Sequence, residues 1–139
     1  MRLFLDTSVV LAATGSDSGA SREVFRRAPS NKWTLLVSPY VIEEVTRNLP
    51  LLGESAAGEW QSLRPVLQSV PDILTIELAV VFPNAKDRPI LFSAFAWSDV
   101  LLTLDRADFA DLLGAQFYGL PILKPGDLLR RERAAGRLR

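Results

Sequence analysis

The chain contains neither cysteine nor histidine. Without cysteine there are no disulfides, no thiolate nucleophile and no Cys-rich zinc site. The missing histidine excludes more: Ser-His-Asp and Cys-His catalysis, His-ligated zinc and imidazole acid–base chemistry all fall away. An excess of one charge is absent too, because Lys plus Arg and Asp plus Glu both number 16. Any contact with nucleic acid must then use a local basic patch. No apolar run reaches the roughly 18 residues of a membrane-spanning helix. The N-terminus lacks the basic-then-apolar pattern of a signal peptide, so a cytoplasmic protein is expected. Repeats, low-complexity tracts and clear linkers are also lacking.

What is present is 139 residues of nearly half apolar content, enough for one domain with a buried core. Residues 1–125 are expected to form its body, and 126–139 its C-terminal helix and basic tail. Leu3-Phe4-Leu5 is a short unbroken apolar run, as in a strand buried on both faces of a parallel sheet. It stops at Asp6, before Thr7, Ser8 and a helix start at Val9–Ala13. A turn-rich break at Thr14–Gly19 and a helix from Ala20 to about Arg27, ended by Pro29, lead to a second strand, Trp33–Val37. Ser38-Pro39 then opens a helix to about Leu49. Ser55 starts another, with turns continuing through Val66–Ser69, before a short strand at Ile73–Ile76. Leu78–Phe82 reads as extended without a firm place. Asp87 falls in the first turn of a helix whose buried face is Ile90, Leu91, Ala94 and Trp97. Val100–Leu104 is a buried strand ending at Asp105. Gln116–Tyr118 and Pro121–Leu123 suggest one more strand, and Pro125-Gly126-Asp127 opens a terminal helix. This alternation predicts a three-layer α/β/α sandwich around a mainly parallel sheet.

Ligands of open parallel sheets sit beyond the carboxyl ends of the strands. Asp6 and Asp105 end strands there, and Asp87 and Glu44 lie on helices that reach the same edge, with Asp108 close behind. Glu44, three residues from Val41, flanks the apolar side of its helix, whereas Glu43 points away. Each acid has a plainer reading: Asp6 as a helix N-cap, Asp87 as a carboxylate favouring its helix dipole, Glu43–Glu44 as a solvated pair. Together they point elsewhere. Two carboxylates about 4 Å apart repel by roughly 4 kcal/mol at an effective dielectric near 20, so a cluster needs protons, arginine or a cation. All-oxygen ligands select Mg²⁺ or Mn²⁺. Such an ion supplies what histidine would, an activated water and neutralised phosphoryl charge, which suits phosphodiester hydrolysis. One carboxylate can assist as general base. Thr7, Ser8 and Thr103 are placed to hold the acids, or a metal-bound water, by hydrogen bonds. Arg88 and Arg106 are candidate cations to offset the charge of a phosphodiester substrate, with Arg22, Arg26 and Lys32 further candidates. Trp33 and Trp97 could stack on bases, although such tryptophans more often belong to the core. The arginine-rich tail from Arg130 to Arg139 reads as a solvated helix end or a phosphate-binding patch.

Leu5-Asp6-Thr7-Ser8-Val9, Ser38–Val45, Lys86–Leu91 and Leu102–Phe109, in this order, resemble the four motifs of the PIN-domain family. The resemblance runs from the first residues to about Leu123. It implies a PIN-like fold and a metal-dependent endoribonuclease acting on single-stranded or structured RNA. Asp6, Glu44, Asp87 and Asp105 would be the acidic set that holds the metal and carries catalysis, with Asp108 as auxiliary acid. Many small stand-alone relatives are toxins of VapBC-type toxin–antitoxin pairs and form homodimers, so an antitoxin protein and a second copy are the implied partners. Leu104 stands where relatives often carry a small or polar residue, and Asn84 where some carry an acid. The alternative is a catalytically silent PIN-like domain serving as a protein-interaction or RNA-binding module. A receiver-type domain ranks lower, since Asp6 is followed by Thr7-Ser8 rather than a second acid.

Overall fold

A computed structural model describes residues 1–80, 82 and 84–139. Val81, within the extended-looking Leu78–Phe82 run, and Pro83 lie outside the described residues. The apolar runs form the strands of a six-stranded, mostly parallel sheet: β1 (Arg2–Leu5), β2 (Thr34–Val37), β3 (Gln68–Ser69), β4 (Val100–Leu102), β5 (Gln116–Phe117) and β6 (Leu120–Leu123). Their order is β3-β2-β1-β4-β6-β5, and only the β5–β6 pair is antiparallel. Six helices pack around the sheet: α1 (Thr7–Gly15), α2 (Ala20–Asn31), α3 (Pro39–Asn48), α4 (Ala56–Leu63), α5 (Arg88–Trp97) and α6 (Pro125–Ala134). Side chains alternate faces along a strand, yet Leu3, Phe4 and Leu5 are all fully buried. Both faces of the central strand are therefore covered, as expected of an α/β sandwich.

From β1 the chain builds outward through β2 and β3, then crosses back to lay β4 on the other side of β1. That reversal is a topological switch point, where a crevice opens at the carboxyl ends of the strands. Asp6 follows β1 there, and its N–H donates to the Leu102 carbonyl of β4 at 2.9 Å.

Several boundaries differ from the sequence reading. Helix α1 runs on to Gly15, and α2 continues through Pro29 to Asn31. Pro29 sits in the last turn of α2, and the chain stops at Lys32, whose left-handed φ of 55° returns its N–H to the Ala28 and Pro29 carbonyls. Of Val66–Ser69 only Val66 lies in a helical turn: a 3₁₀ turn over Arg64–Val66 gives way to β3. Ile73–Ile76 is not a strand, and its first residue and the two before it are bonded to helices. The Ile73 N–H donates to Ser93 Oγ of α5, Trp97 Nε1 donates to the Pro71 carbonyl, and the Asp72 carboxylate turns to α3. Strand β4 ends at Leu102, with Thr103 still buried but Leu104 exposed. The last expected strand is a hairpin of two, turned at Tyr118-Gly119, both with positive φ. Trp33 lies in the core and Trp97 packs against it, so both read as structural.

Candidate metal centre

Four segments deliver acids to the crevice. Asp6, Glu44, Asp87 and Asp105 line one cleft of about 190 Å³, together with Thr7, Ser8, Leu11, Asn48 and Lys86. A larger, mainly apolar hollow of about 530 Å³, between Thr46 and Ala57, touches none of them.

The cleft has two parts. In the first, Asp6 both caps α1 and sits in a cradle of donors. Its Oδ1 accepts the Thr7 N–H at 2.8 Å, and its Oδ2 accepts the hydroxyls of Ser8 at 2.6 Å and Thr103 at 2.7 Å. The same hydroxyl oxygens accept backbone N–H groups of the loop after β4, Leu104 on Ser8 and Asp105 on Thr103, each at 3.0 Å. Ser8 and Thr103 thus lock the start of the Asp105 loop onto Asp6. Thr7 extends the network by donating its hydroxyl to Glu44 Oε1 at 2.7 Å. Glu44 is the inward member of its pair and Glu43 the exposed one, as the helical spacing requires.

In the second part, carboxylate oxygens of Asp87, Asp105 and Asp108 all lie within 4.8 Å of one another. Asp6 and Glu44 line the cleft but are not members of this tight group. Asp87 arrives on a 3₁₀ turn, Ala85–Asp87, immediately before α5. The Asp108 N–H donates to Asp105 Oδ1 at 2.9 Å, folding the loop so that both carboxylates face Asp87.

The electrostatics follow from this crowding. Burial, with the Asp108 carboxylate next in importance, pushes the Asp87 carboxyl up to about 8. Asp105 is raised for the same two reasons, while Asp108 is lowered by hydrogen bonds from Asp87 and Asp105. Of the three, Asp87 therefore holds its proton most readily, and Asp108 is the one whose charged form its neighbours favour. Burial also raises Asp6, against the opposing pull of Ser8, Thr103 and Thr7. Lys86, raised by Asp87 and then Asp108, brings its ammonium to 4.0 Å from Asp108.

Asp87 is 96% buried, with a relative exposure of 4%, yet its Oδ2 has no hydrogen-bond partner. Among the described residues only Ser38 Oγ shares that condition. A buried orphan carboxylate oxygen costs free energy unless something meets it. Here it belongs to three clustered carboxylates, an all-oxygen set of the kind that hard divalent cations take. The residues fit such an ion.

The basic residues divide differently from the sequence reading. Arg88 Nε and Nη2 both donate to the Phe82 carbonyl, at 3.2 and 2.9 Å, so this guanidinium is committed to the fold. Arg22 is held by the Ala13 carbonyl and Glu59, and Arg26 by Glu23 and the Asp17 carbonyl. Arg106 is exposed, and among the described residues no ion pair engages it. In the tail, Arg130 pairs with Asp127 and Arg137 with the buried Glu132, which removes two charges from any phosphate patch. Lys86 and Asn48 were missed as lining residues. Adjacency to Asp87 and a four-residue step from Glu44 were the available signals.

No protein-family model matches the chain, and no curated protein matches it. Among the described residues no helix is long and apolar enough to cross a membrane.

Proposed function

We propose that this chain is a divalent-metal-dependent endoribonuclease that hydrolyses phosphodiester bonds of single-stranded RNA, and the toxin of a toxin–antitoxin pair. The observation that carries the proposal is Asp87 Oδ2, a buried carboxylate oxygen without a partner inside a cluster of acids. Two further points support it. The acids lie at the switch point of a parallel sheet, and their four sequence segments resemble those of PIN domains in order.

Asp87, Asp105 and Asp108 would hold Mg²⁺ or Mn²⁺, with Asp6 and Glu44 lining the same cleft. The ion would supply an acidified water and neutralise phosphoryl charge. The chain's own groups do the rest. Ser8 and Thr103 hold Asp6 and the Asp105 loop in one register. Thr7 orients Glu44 so that one carboxylate oxygen, Oε2, is left to accept a proton from a nucleophile. Lys86, which lines the cleft, and Arg106, exposed next to Asp105 in sequence, offer charge to the RNA backbone, whereas Arg88 donates to the Phe82 carbonyl. A second copy of the chain and an antitoxin protein are the partners this reading brings with it.

The test is cleavage of single-stranded RNA by the purified chain with Mg²⁺ or Mn²⁺, with EDTA, and in Asp87→Asn and Glu44→Gln. Cleavage should need the metal and fall at least about a hundredfold in each variant, the scale of losing an acid–base group. Cleavage that survives EDTA or both substitutions would sink the proposal. Metal binding without any cleavage would favour a silent interaction module.

A further inference from the structure

The two parts of the cleft are joined in two places. One is the hydroxyl network between Asp6 and the Asp105 loop. The other runs between α3, which carries Glu44, and the 3₁₀ turn that carries Asp87. Tyr40 is four residues before Glu44 on α3, so the two side chains lie on one face, a helical turn apart. The Tyr40 hydroxyl donates to the Lys86 carbonyl at 2.7 Å, one residue before Asp87. The other end of the link is also fixed. The Tyr40 N–H donates to the Asp72 carboxylate, at 3.3 and 3.2 Å, which caps α3 in place of the Ser38 side chain. Asp72 is itself flanked by Pro71 and Ile73, which are hydrogen-bonded to α5 through Trp97 and Ser93.

From this connectivity we infer that Tyr40 is a positioning residue that anchors the turn carrying Asp87, fixes that carboxylate against Asp105 and Asp108, and thereby favours Mg²⁺ over the larger Ca²⁺. The inference rests on the metal reading proposed above. The turn Ala85–Asp87 is only three residues long and has few anchors of its own. Its internal bond is Asp87 N–H to the Asn84 carbonyl at 3.1 Å. Releasing the Lys86 carbonyl lets the turn shift relative to α3. Mg²⁺ demands near-ideal octahedral geometry, while Ca²⁺ accepts longer and less regular oxygen shells. Slack in the placement of Asp87 against Asp105 and Asp108 therefore penalises Mg²⁺ more.

Tyr40→Phe removes the hydroxyl and keeps the ring. Calorimetric titration of the full chain with Mg²⁺ and with Ca²⁺ measures the effect, beside Tyr118→Phe. That control loses a comparable hydroxyl, bonded to the Ala79 carbonyl, on a segment that carries none of the acids. The expected result is an Mg²⁺-to-Ca²⁺ affinity ratio about three- to tenfold lower in Tyr40→Phe, the worth of one hydrogen bond, and unchanged in Tyr118→Phe. General destabilisation would weaken both ions alike and leave the ratio alone. A Tyr40→Phe ratio equal to that of the wild type, or an equal fall in Tyr118→Phe, overturns the inference while the metal reading stands. A wild type that binds neither ion overturns both.

Discussion

Replacing Asp87 with Asn should stabilise the metal-free protein. The Asp87 carboxyl is raised to about 8 by burial and by Asp108, whereas in the unfolded chain it titrates near ~3.9. A carboxyl raised on folding contributes stability that is complete below the unfolded pKa and disappears as pH climbs through the folded one. At about 1.36 kcal/mol per pH unit, the loss between pH 4 and pH 7 has an upper value of about 4 kcal/mol. Asp108 is held low by the same contact, and that gain vanishes with Asp87, so a net stabilisation of about 1–3 kcal/mol is expected at pH 7. Asn keeps the shape of Asp87 and offers an amide donor to Asp105 and Asp108. Urea unfolding in EDTA at several values from pH 5 to 8.5 measures the difference, which should grow with pH and level off above about 8. Excess Mg²⁺ should then reverse the order, since an ion at a thousand times its Kd stabilises the wild type by about 4.1 kcal/mol. A variant less stable than the wild type in EDTA, or a difference flat with pH, would refute this reasoning.

Thr103→Val strips Asp6 of one donor and the Asp105 N–H of its acceptor. It should lower stability by about 1–3 kcal/mol in chemical denaturation, the cost of buried groups left unpaired. Asp72→Ala removes the cap of α3 and should cost about 0.5–2 kcal/mol by the same measurement. For RNA binding, Arg106→Ala should reduce the slope of log affinity against log salt by about 0.7, the value for one phosphate contact on a single strand. Arg88→Ala, because that guanidinium already serves the Phe82 carbonyl, should leave the slope unchanged and lower the melting temperature instead.

Much of the architecture was legible because the strands are buried on both faces. Leu3–Leu5, Leu35–Val37 and Val100–Leu102 had to be continuous apolar runs, and a run of that kind needs no partner to be recognised. Ile73–Ile76 has the composition of a strand but not its hydrogen bonds. Its neighbourhood is claimed by Ser93, Trp97 and Tyr40, residues at 20 or more positions' remove in sequence. Gln68–Ser69 joins the sheet with both side chains exposed, so it carries no apolar signal. Pro29-Ser30-Asn31, the expected end of the second helix, lies within the last turn of α2, and the left-handed Lys32 makes the stop just beyond it.

The site was legible for a different reason. A carboxylate at the end of a buried strand can be placed from the strand alone, which located Asp6 and Asp105. The helical period selected Glu44 over Glu43. What the period cannot supply is the closeness of groups on different elements, and that closeness decides the chemistry. It makes Asp87, Asp105 and Asp108 the tight group, and leaves Asp6 satisfied by Thr7, Ser8 and Thr103. Charge counting in sequence likewise ranked Arg88 beside Arg106, although one spends its donors on a backbone carbonyl. The two parts of the cleft therefore have opposite energetics. The hydroxyl cradle is fully paired and holds the scaffold, whereas the three aspartates crowd carboxyl groups together, and burial with that crowding makes ionising Asp87 costly. In the metal reading proposed above, a bound cation offsets that cost, so the sign of the Asp87→Asn effect should invert with Mg²⁺.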